Sequence, residues 1–328
     1  MTQTAFVTGA TGFVGSHLAR QLVNSGWDVT VLVRESSSLQ DIADLDLRVQ
    51  AGDVTDLESV RAAMPAGVDA VFHVAASTNI WSRHNAQQNA VNVGGTDHVV
   101  RSAIERGASR LVHTSSFIVW GFHEGTIDEE TPWTPGDEWI NYLRTKRLAE
   151  RRVRQAVESG ELDAVICNPA HILGPGDRHN WSRMIRLVHQ EKLPGVPPGG
   201  GAFADVREVA RAHLAAWRQG ERGANYLLGG PDIPFLELIQ LAGEMLDKPV
   251  PAKASPAWLL AGVARLSSAV ARLTGKAPDI TPEGAAMICR HLHCDSSRAR
   301  DVLGYRFTPP RQLLEDTIDW MRGQGLLS

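Results

Sequence analysis

Eight residues near the N-terminus, Thr8-Gly9-Ala10-Thr11-Gly12-Phe13-Val14-Gly15, constrain the fold more than any other stretch. They follow the apolar run Ala5-Phe6-Val7 and lead into Val14, Leu18 and Leu22, which recur every four residues before Gly26. This order predicts a strand, a tight turn and an amphipathic helix, the opening of a βαβ unit. The first glycine permits a sharp exit from the strand. The second lets backbone approach a pyrophosphate, and the third lets helix pack on sheet. Because a helix N-terminus offers unpaired N–H groups and a positive dipole end, a dinucleotide is expected at Gly9, Thr11, Gly12, Phe13, Val14 and Gly15.

Further apolar runs fall at Val29 to Val33, Leu47 to Gln50, Ala70 to Val74, Arg110 to Thr114 and Ala164 to Asn168. Helix-period segments lie between them, including Gln87 to Arg106 and Trp139 to Glu158. The alternation predicts an α/β Rossmann fold, a doubly wound parallel sheet with a smaller C-terminal α/β substrate domain. The dinucleotide domain is expected over residues 1–168 and the substrate domain over 169–328, with about 205–228 returning to the first sheet. A chain of 328 residues, 43% hydrophobic and 21% charged, supplies two such cores. The segment Trp258 to Leu273 reads as an amphipathic helix that packs on or caps the body, with a membrane or partner surface as the other reading.

Arg34 ends the second strand, where a guanidinium pairs with the 2′-phosphate of NADP and an acid would accept from the ribose of NAD. NADP(H) is therefore expected over NAD(H), with Glu35 on the ribose as the other reading. Asp53, with Val54 beside it, follows the third strand; it suits the adenine amino group, or a cap for the helix near Leu57.

Tyr142 and Lys146 lie four residues apart and so share a helix face. With three tyrosines and five lysines in the chain, chance produces this spacing about 0.05 times. A free phenol titrates near ~10, and a nearby ammonium favours the phenolate. His113-Thr114-Ser115-Ser116 ends the fifth strand, at the sheet edge where open α/β folds bind ligands.

Together with His73-Val74-Ala75-Ala76, Asn92-Val93-Gly94-Gly95-Thr96 and Asn168-Pro169, these motifs resemble the extended short-chain dehydrogenase/reductase family, within the NAD-dependent epimerase/dehydratase superfamily. Trp81-Ser82-Arg83, Gly174-Pro175-Gly176-Asp177 and the run from Asp295 to Tyr305 resemble its dihydroflavonol 4-reductase-like branch. The resemblance implies that Tyr142 is the general acid or base, that Lys146 lowers its pKa and holds the nicotinamide ribose, and that Ser116 polarises the substrate oxygen. It also implies that Ala75, Pro169 and Ala170 line the cofactor cleft and that Asn92 supports it. Family dehydratases follow the catalytic strand with an Asp-Glu pair, whereas here Phe117-Ile118 follows Ser116, so dehydration is disfavoured.

The expected activity is NADP(H)-dependent hydride transfer between cofactor and a ketone, aldehyde or secondary alcohol, dihydroflavonol reductase-like or 3β-hydroxysteroid dehydrogenase-like. Trp81, Phe117, Trp120 and Trp181 are candidate walls for an apolar substrate, with His171 a further contact. A rival is an NAD-dependent nucleotide-sugar epimerase whose diphosphate would meet Arg178, Arg183 and Arg186. A non-catalytic dinucleotide-sensing protein is a third class. No metal is expected at Cys289, His291, His293 and Cys294, whose spacing matches no familiar zinc site. A net charge of -4 disfavours nucleic acid as a partner. Three cysteines without disulfide spacing, no signal peptide and no transmembrane segment point to the cytoplasm. A homodimer is a possible assembly.

Overall fold

A computed structural model describes residues 2–327. Its strands are β1 (Thr4–Thr8), β2 (Asp28–Val33), β3 (Arg48–Ala51), β4 (Ala70–His73), β5 (Arg110–Thr114), β6 (Thr126–Ile127), β7 (Ala164–Pro169), β8 (His171–Leu173), β9 (Gly200–Asp205), β10 (Asn225–Leu228), β11 (Asp232–Pro234) and β12 (His291–Cys294). The helices before β10 are α1 (Phe13–Asn24), α2 (Leu57–Ala63), α3 (Asn85–Asn89), α4 (Gly95–Glu105), α5 (Asn141–Glu158), α6 (Trp181–His189) and α7 (Val206–Gln219). After it come α8 (Phe235–Leu246), α9 (Ala257–Thr274), α10 (Pro282–Ile288), α11 (Ser297–Leu303) and α12 (Pro310–Gly323).

Seven parallel strands form the main sheet in the order β10-β7-β5-β4-β1-β2-β3. Alternation along each strand divides the core between its faces. Val7, Val29, Val31, Phe72 and Val165 meet α1 and α7 on one side, while Phe6, Leu32, Val71 and Ile166 meet α2, α4 and α5 on the other. Burial on both faces is what makes these strands read as continuous apolar runs. The chain builds outward from β1 to β3 and then resumes at β4 on the other side of β1, so the order reverses between β1 and β4. Their C-terminal ends open a crevice, the usual ligand position in such sheets.

The smaller region has a second sheet, ordered β11-β9-β12-β6, with β8 paired to β9. Its core brings Phe203 together with Ile185 of α6, Phe235 and Leu238 of α8, and Ile318 and Met321 of α12. The fold is thus a doubly wound parallel Rossmann sheet with a smaller C-terminal α/β region. The segment 206–228 lies back on the main sheet, α7 against α1 and β10 beside β7.

Two elements depart from the sequence reading. The expected helix from Gln87 to Arg106 is α3 and α4 joined by a π-helical turn at Ala90–Gly94. The apolar residues of α9 face outward: only Ala264 and Ala271 of that helix are buried. Small side chains make its contact with the body, so its larger ones cannot also reach it.

Candidate functional site

A cavity of about 740 Å³ runs from the glycine turn, across the ends of β1 and β4, to Tyr142 and Lys146. The turn's geometry explains its composition. Gly9 has φ of +78°, and a Cβ there would meet the Ala75 amide nitrogen at 2.6 Å. A Cβ on Gly15 would strike the Gly9 carbonyl. No side chain caps α1 at Gly12, so its first-turn amides stay available to an anion. An extended cradle, closed to side chains and ending at a helix N-terminus, fits a dinucleotide.

Thr11, Phe13, Val14, Arg34, Asp53, Val54, Ala75, Pro169 and Ala170 also line this cavity. Asp53 accepts from the Thr55 amide and hydroxyl at 2.8 and 2.9 Å. It does not cap α2: Asp56 does, accepting from the Glu58 amide at 3.0 Å. Asn92 is buried behind the wall. Its amide oxygen accepts from the Ser77 amide at 2.7 Å, and its nitrogen donates to the Ser77 carbonyl and the Thr145 hydroxyl, both at 3.0 Å. The π-helical turn aims Asn92 at this loop, making it a positioning residue. A uniform helical period hides such a turn.

At the inner end, α5 carries Tyr142, Lys146 and Glu150 on one face, at successive four-residue steps. Ser116 and Tyr142 line the same end of the cavity, and Ser116 Oγ accepts from the Ile118 amide at 3.4 Å. Ser115 instead donates to the buried Glu150 carboxylate at 2.6 Å. Glu150 also accepts from Asn168 at 3.0 Å and Asn225 at 2.8 Å, tying α5 to β7 and β10. Sequence reasoning missed Glu150, although its spacing from Lys146 repeats the Tyr142 step.

Burial raises the Tyr142 phenol above its ordinary pKa, and Ser116 only partly offsets this. The Lys146 ammonium donates to the Thr114 carbonyl at 2.6 Å. Burial lowers Lys146 itself to about 8, with the Glu150 carboxylate opposing. It therefore stays cationic at neutral pH.

His171 and Trp181 line the cavity, with their rings 5.5 Å apart edge to face. Phe117 and Trp120 do not; they are buried in a cluster with Val119, Ile127 and Leu227. Trp81 is also off the cavity, set edge-on to His84 at 5.3 Å. Hydrophobicity predicts that a ring leaves water, and here these rings leave it for other protein groups. Thr78, Asn79, Gln87, His179 and Asn180 also line the cavity, a polar set that no motif marked. The arginines suggested for a diphosphate are engaged elsewhere: Arg178 with Asp41 at 3.0 Å, Arg183 with Asp279 at 2.9 Å, and Arg186 with the Arg178 carbonyl at 3.4 Å.

His291 and His293 stack at 4.5 Å and share one Asp232 oxygen, each at 2.9 Å. These three are the group among the described residues whose donor atoms lie within 4.8 Å of one another. Cys294 turns instead to Ser296 at 3.6 Å. Among the described residues, no helix is long and apolar enough to cross a membrane.

Residues 5–229 match the model of the NAD dependent epimerase/dehydratase family. The chain is 31% identical to sterol demethylase protein B of Methylococcus capsulatus over 329 residues, covering 99% of this chain and 100% of that one. It is 30% identical over 334 residues to a Synechocystis protein assigned provisionally as a dihydroflavonol 4-reductase, covering 99% and 96%. The crystal structure of gox2253 superposes with a TM-score of 0.85 at 31% identity, over 99% of both chains.

The expectation of NADP(H) is corrected by the similar structures that hold a dinucleotide, which carry NAD. MoeE5 in complex with UDP-glucose and NAD is 25% identical, with a TM-score of 0.75 over 98% of this chain and 99% of that one. Arg34 is exposed and no hydrogen bond or ion pair orients its guanidinium. A guanidinium at a strand end is one element of a 2′-phosphate site and does not by itself select NADP.

Proposed function

Because the chain belongs to the NAD dependent epimerase/dehydratase family, we propose that it uses NAD to interconvert a secondary alcohol and a ketone at a carbon held against Ser116 and Tyr142. The coarse activity follows from membership: a dinucleotide-dependent oxidoreductase or epimerase acting at CH–OH groups. The observation that carries the finer reading is that Ser116, Tyr142 and Lys146 line one cavity with the glycine turn, Lys146 one turn along α5 from Tyr142.

When bound, NAD supplies a hydride acceptor at its nicotinamide C4. Tyr142 takes the substrate hydroxyl proton in oxidation and returns it in reduction. Ser116 donates to the same oxygen as charge develops there. Lys146, fixed by Thr114, presents its positive charge to the ribose and favours the phenolate once Tyr142 gives up its proton. Asn92, through Ser77, keeps the opposite wall at a constant distance from α5.

Two forms share this step. In the first, the ketone is reduced again before leaving, which epimerises a nucleotide sugar. The family description and the NAD- and UDP-glucose-bound MoeE5 give this form the stronger support from the comparisons. In the second, the hydride is not returned within one turnover: alcohol and NAD leave as ketone and NADH in a steroid dehydrogenase-like enzyme, and ketone and NADH leave as alcohol and NAD in a dihydroflavonol reductase-like one. The cavity lining favours that form, since none of Arg178, Arg183 and Arg186 is among its residues.

The test is to identify the dinucleotide retained on purification, then to assay UDP-sugars and apolar secondary alcohols for epimer formation and for NADH. Epimer without net NADH selects the first form, and stoichiometric NADH selects the second. An absence of both across the panel contradicts the proposed reaction.

A further inference from the structure

Between residues 248 and 278 the chain carries Lys248, Lys253, Arg265, Arg272 and Lys276 and no aspartate or glutamate. Most of this stretch is α9. At 100° per residue, Trp258, Leu259, Val263, Leu266, Val270 and Leu273 fall on one continuous arc, and Arg265 and Arg272 border it on one side. The opposite side, Ala264 and Ala271, is the part that packs on the body. The large apolar side chains therefore face water: Trp258 is 75% exposed, Leu266 68% and Leu273 89%. An exposed Trp/Leu/Val face with a purely basic border is the pattern of a helix lying in a bilayer interface.

The surroundings extend this face. A cleft of about 540 Å³ beside α9 is lined by Phe122, Trp139, Ala261 and Arg265, and Trp139 is itself exposed. Helix α10, packed on α9, contributes Ala286 and Met287 to the cluster that includes Tyr142. The exposed face is thus carried by a helix pair that leans on the substrate side of the proposed active site.

We infer that α9 docks this enzyme on the surface of an anionic phospholipid bilayer, Trp258, Leu266 and Leu273 entering the acyl boundary while Arg265, Arg272 and Lys276 meet headgroup phosphates. The charge decides between a bilayer and a second copy of the chain. A second copy offers no acidic group on this stretch to meet the cations; of the acids beside it, Asp279 contacts Arg183 at the surface, and Asp137 in the adjoining cleft accepts from the Phe122 amide and the Thr134 hydroxyl. Anionic lipid supplies that charge, and the long arginine stems can follow the apolar surface while their heads stay at the phosphates. Docking is peripheral, in keeping with the lack of a spanning helix among the described residues. It stands independently of which substrate the site takes.

The experiment is co-sedimentation of the full chain with vesicles of phosphatidylcholine alone and with about one third phosphatidylglycerol, at low and high salt. Wild type is expected to bind the anionic vesicles, with binding weakened by salt and by removal of the anionic lipid. Leu266→Glu with Leu273→Glu should reduce partitioning by at least about tenfold, since each leucine contributes by its buried area. Arg265→Gln with Arg272→Gln should remove the preference for anionic lipid. These positions face solvent, so far-UV circular dichroism and dinucleotide affinity should match wild type; if the glutamate pair fails that check, Leu273→Ser serves in its place. Wild type left in the supernatant with anionic vesicles overturns the inference. So do equal binding by the glutamate pair, and a concentration-dependent dimer that this pair dissociates while vesicles capture nothing.

Discussion

Helices α5 and α9 are both 18 residues long, yet they are turned in opposite senses. Helix α5 is rich in charge and buries much of it: Lys146, Arg147 and Glu150 lie inside with Leu143 and Val153. Helix α9 is rich in apolar side chains and shows most of them to water. Local sequence specifies that each is amphipathic. Partners decide which stripe goes in. Buried charge on α5 is tolerated because Glu150 has Ser115, Asn168 and Asn225 around it and Lys146 has the Thr114 carbonyl. The body offers α9 only a shallow contact that fits alanines.

Removing a partner from α5 breaks the comparison at its strongest point. Glu150→Ala removes an acceptor shared by Ser115, Asn168, Asn225 and Arg154 and the counter-charge of the buried Lys146, and should cost about 3–5 kcal/mol in denaturant unfolding. A loss below about 1 kcal/mol would mean that Glu150 does not hold the helix. Leu143→Ala, which opens a cavity in the same helix, should cost about 2–5 kcal/mol.

The next effect is one of pH. Burial lowers His73 to about 3 and His171 and His213 to about 4. Above their unfolded pKa near 6.5 these rings are neutral in both states. Below it the unfolded chain takes up protons that the folded one refuses, so stability falls, at up to about 1.4 kcal/mol per pH unit for each histidine, until the folded values are reached. Lys146 acts in the same sense at higher pH, its folded pKa also lying below the unfolded one. Its cationic form is lost above about 8 in the folded chain, so NAD affinity should weaken there while stability gains up to the unfolded value near 10.5. Titration calorimetry with NAD across pH 7 to 9.5 checks the first part, and a flat profile removes Lys146 from the ribose.

The smallest effect belongs to α9. Leu266→Ser and Leu273→Ser should each change stability by less than about 0.5 kcal/mol without lipid. A loss comparable to Leu143→Ala would show that something covers this face in solution.

The glycine turn was legible in the sequence because its constraint is local: Gly9 and Gly15 answer to φ and to a carbonyl a few residues away. The parallel strands were legible through double-sided burial, and Tyr142 with Lys146 through helical spacing. What failed depends on contacts far along the chain. An apolar period gives α9 a stripe but no direction, and a uniform period over 87–106 conceals the π-helical turn that aims Asn92. Phe117 and Trp120 read as pocket walls because sequence does not distinguish a core ring from a cavity ring. Arg34 suggested NADP by its charge at the end of β2, and that charge alone does not select a 2′-phosphate over a ribose hydroxyl.

The most direct test of the proposed chemistry is Tyr142→Phe, which removes the acid-base hydroxyl and keeps the ring in the cluster with Ile118, Ile140 and Leu143. The measurement is single-turnover hydride transfer from a substrate that wild type accepts, beside the NAD dissociation constant. Transfer should slow by about a hundredfold to ten-thousandfold while NAD binds within a few-fold of wild type. Transfer at the wild-type rate would take Tyr142 out of the mechanism.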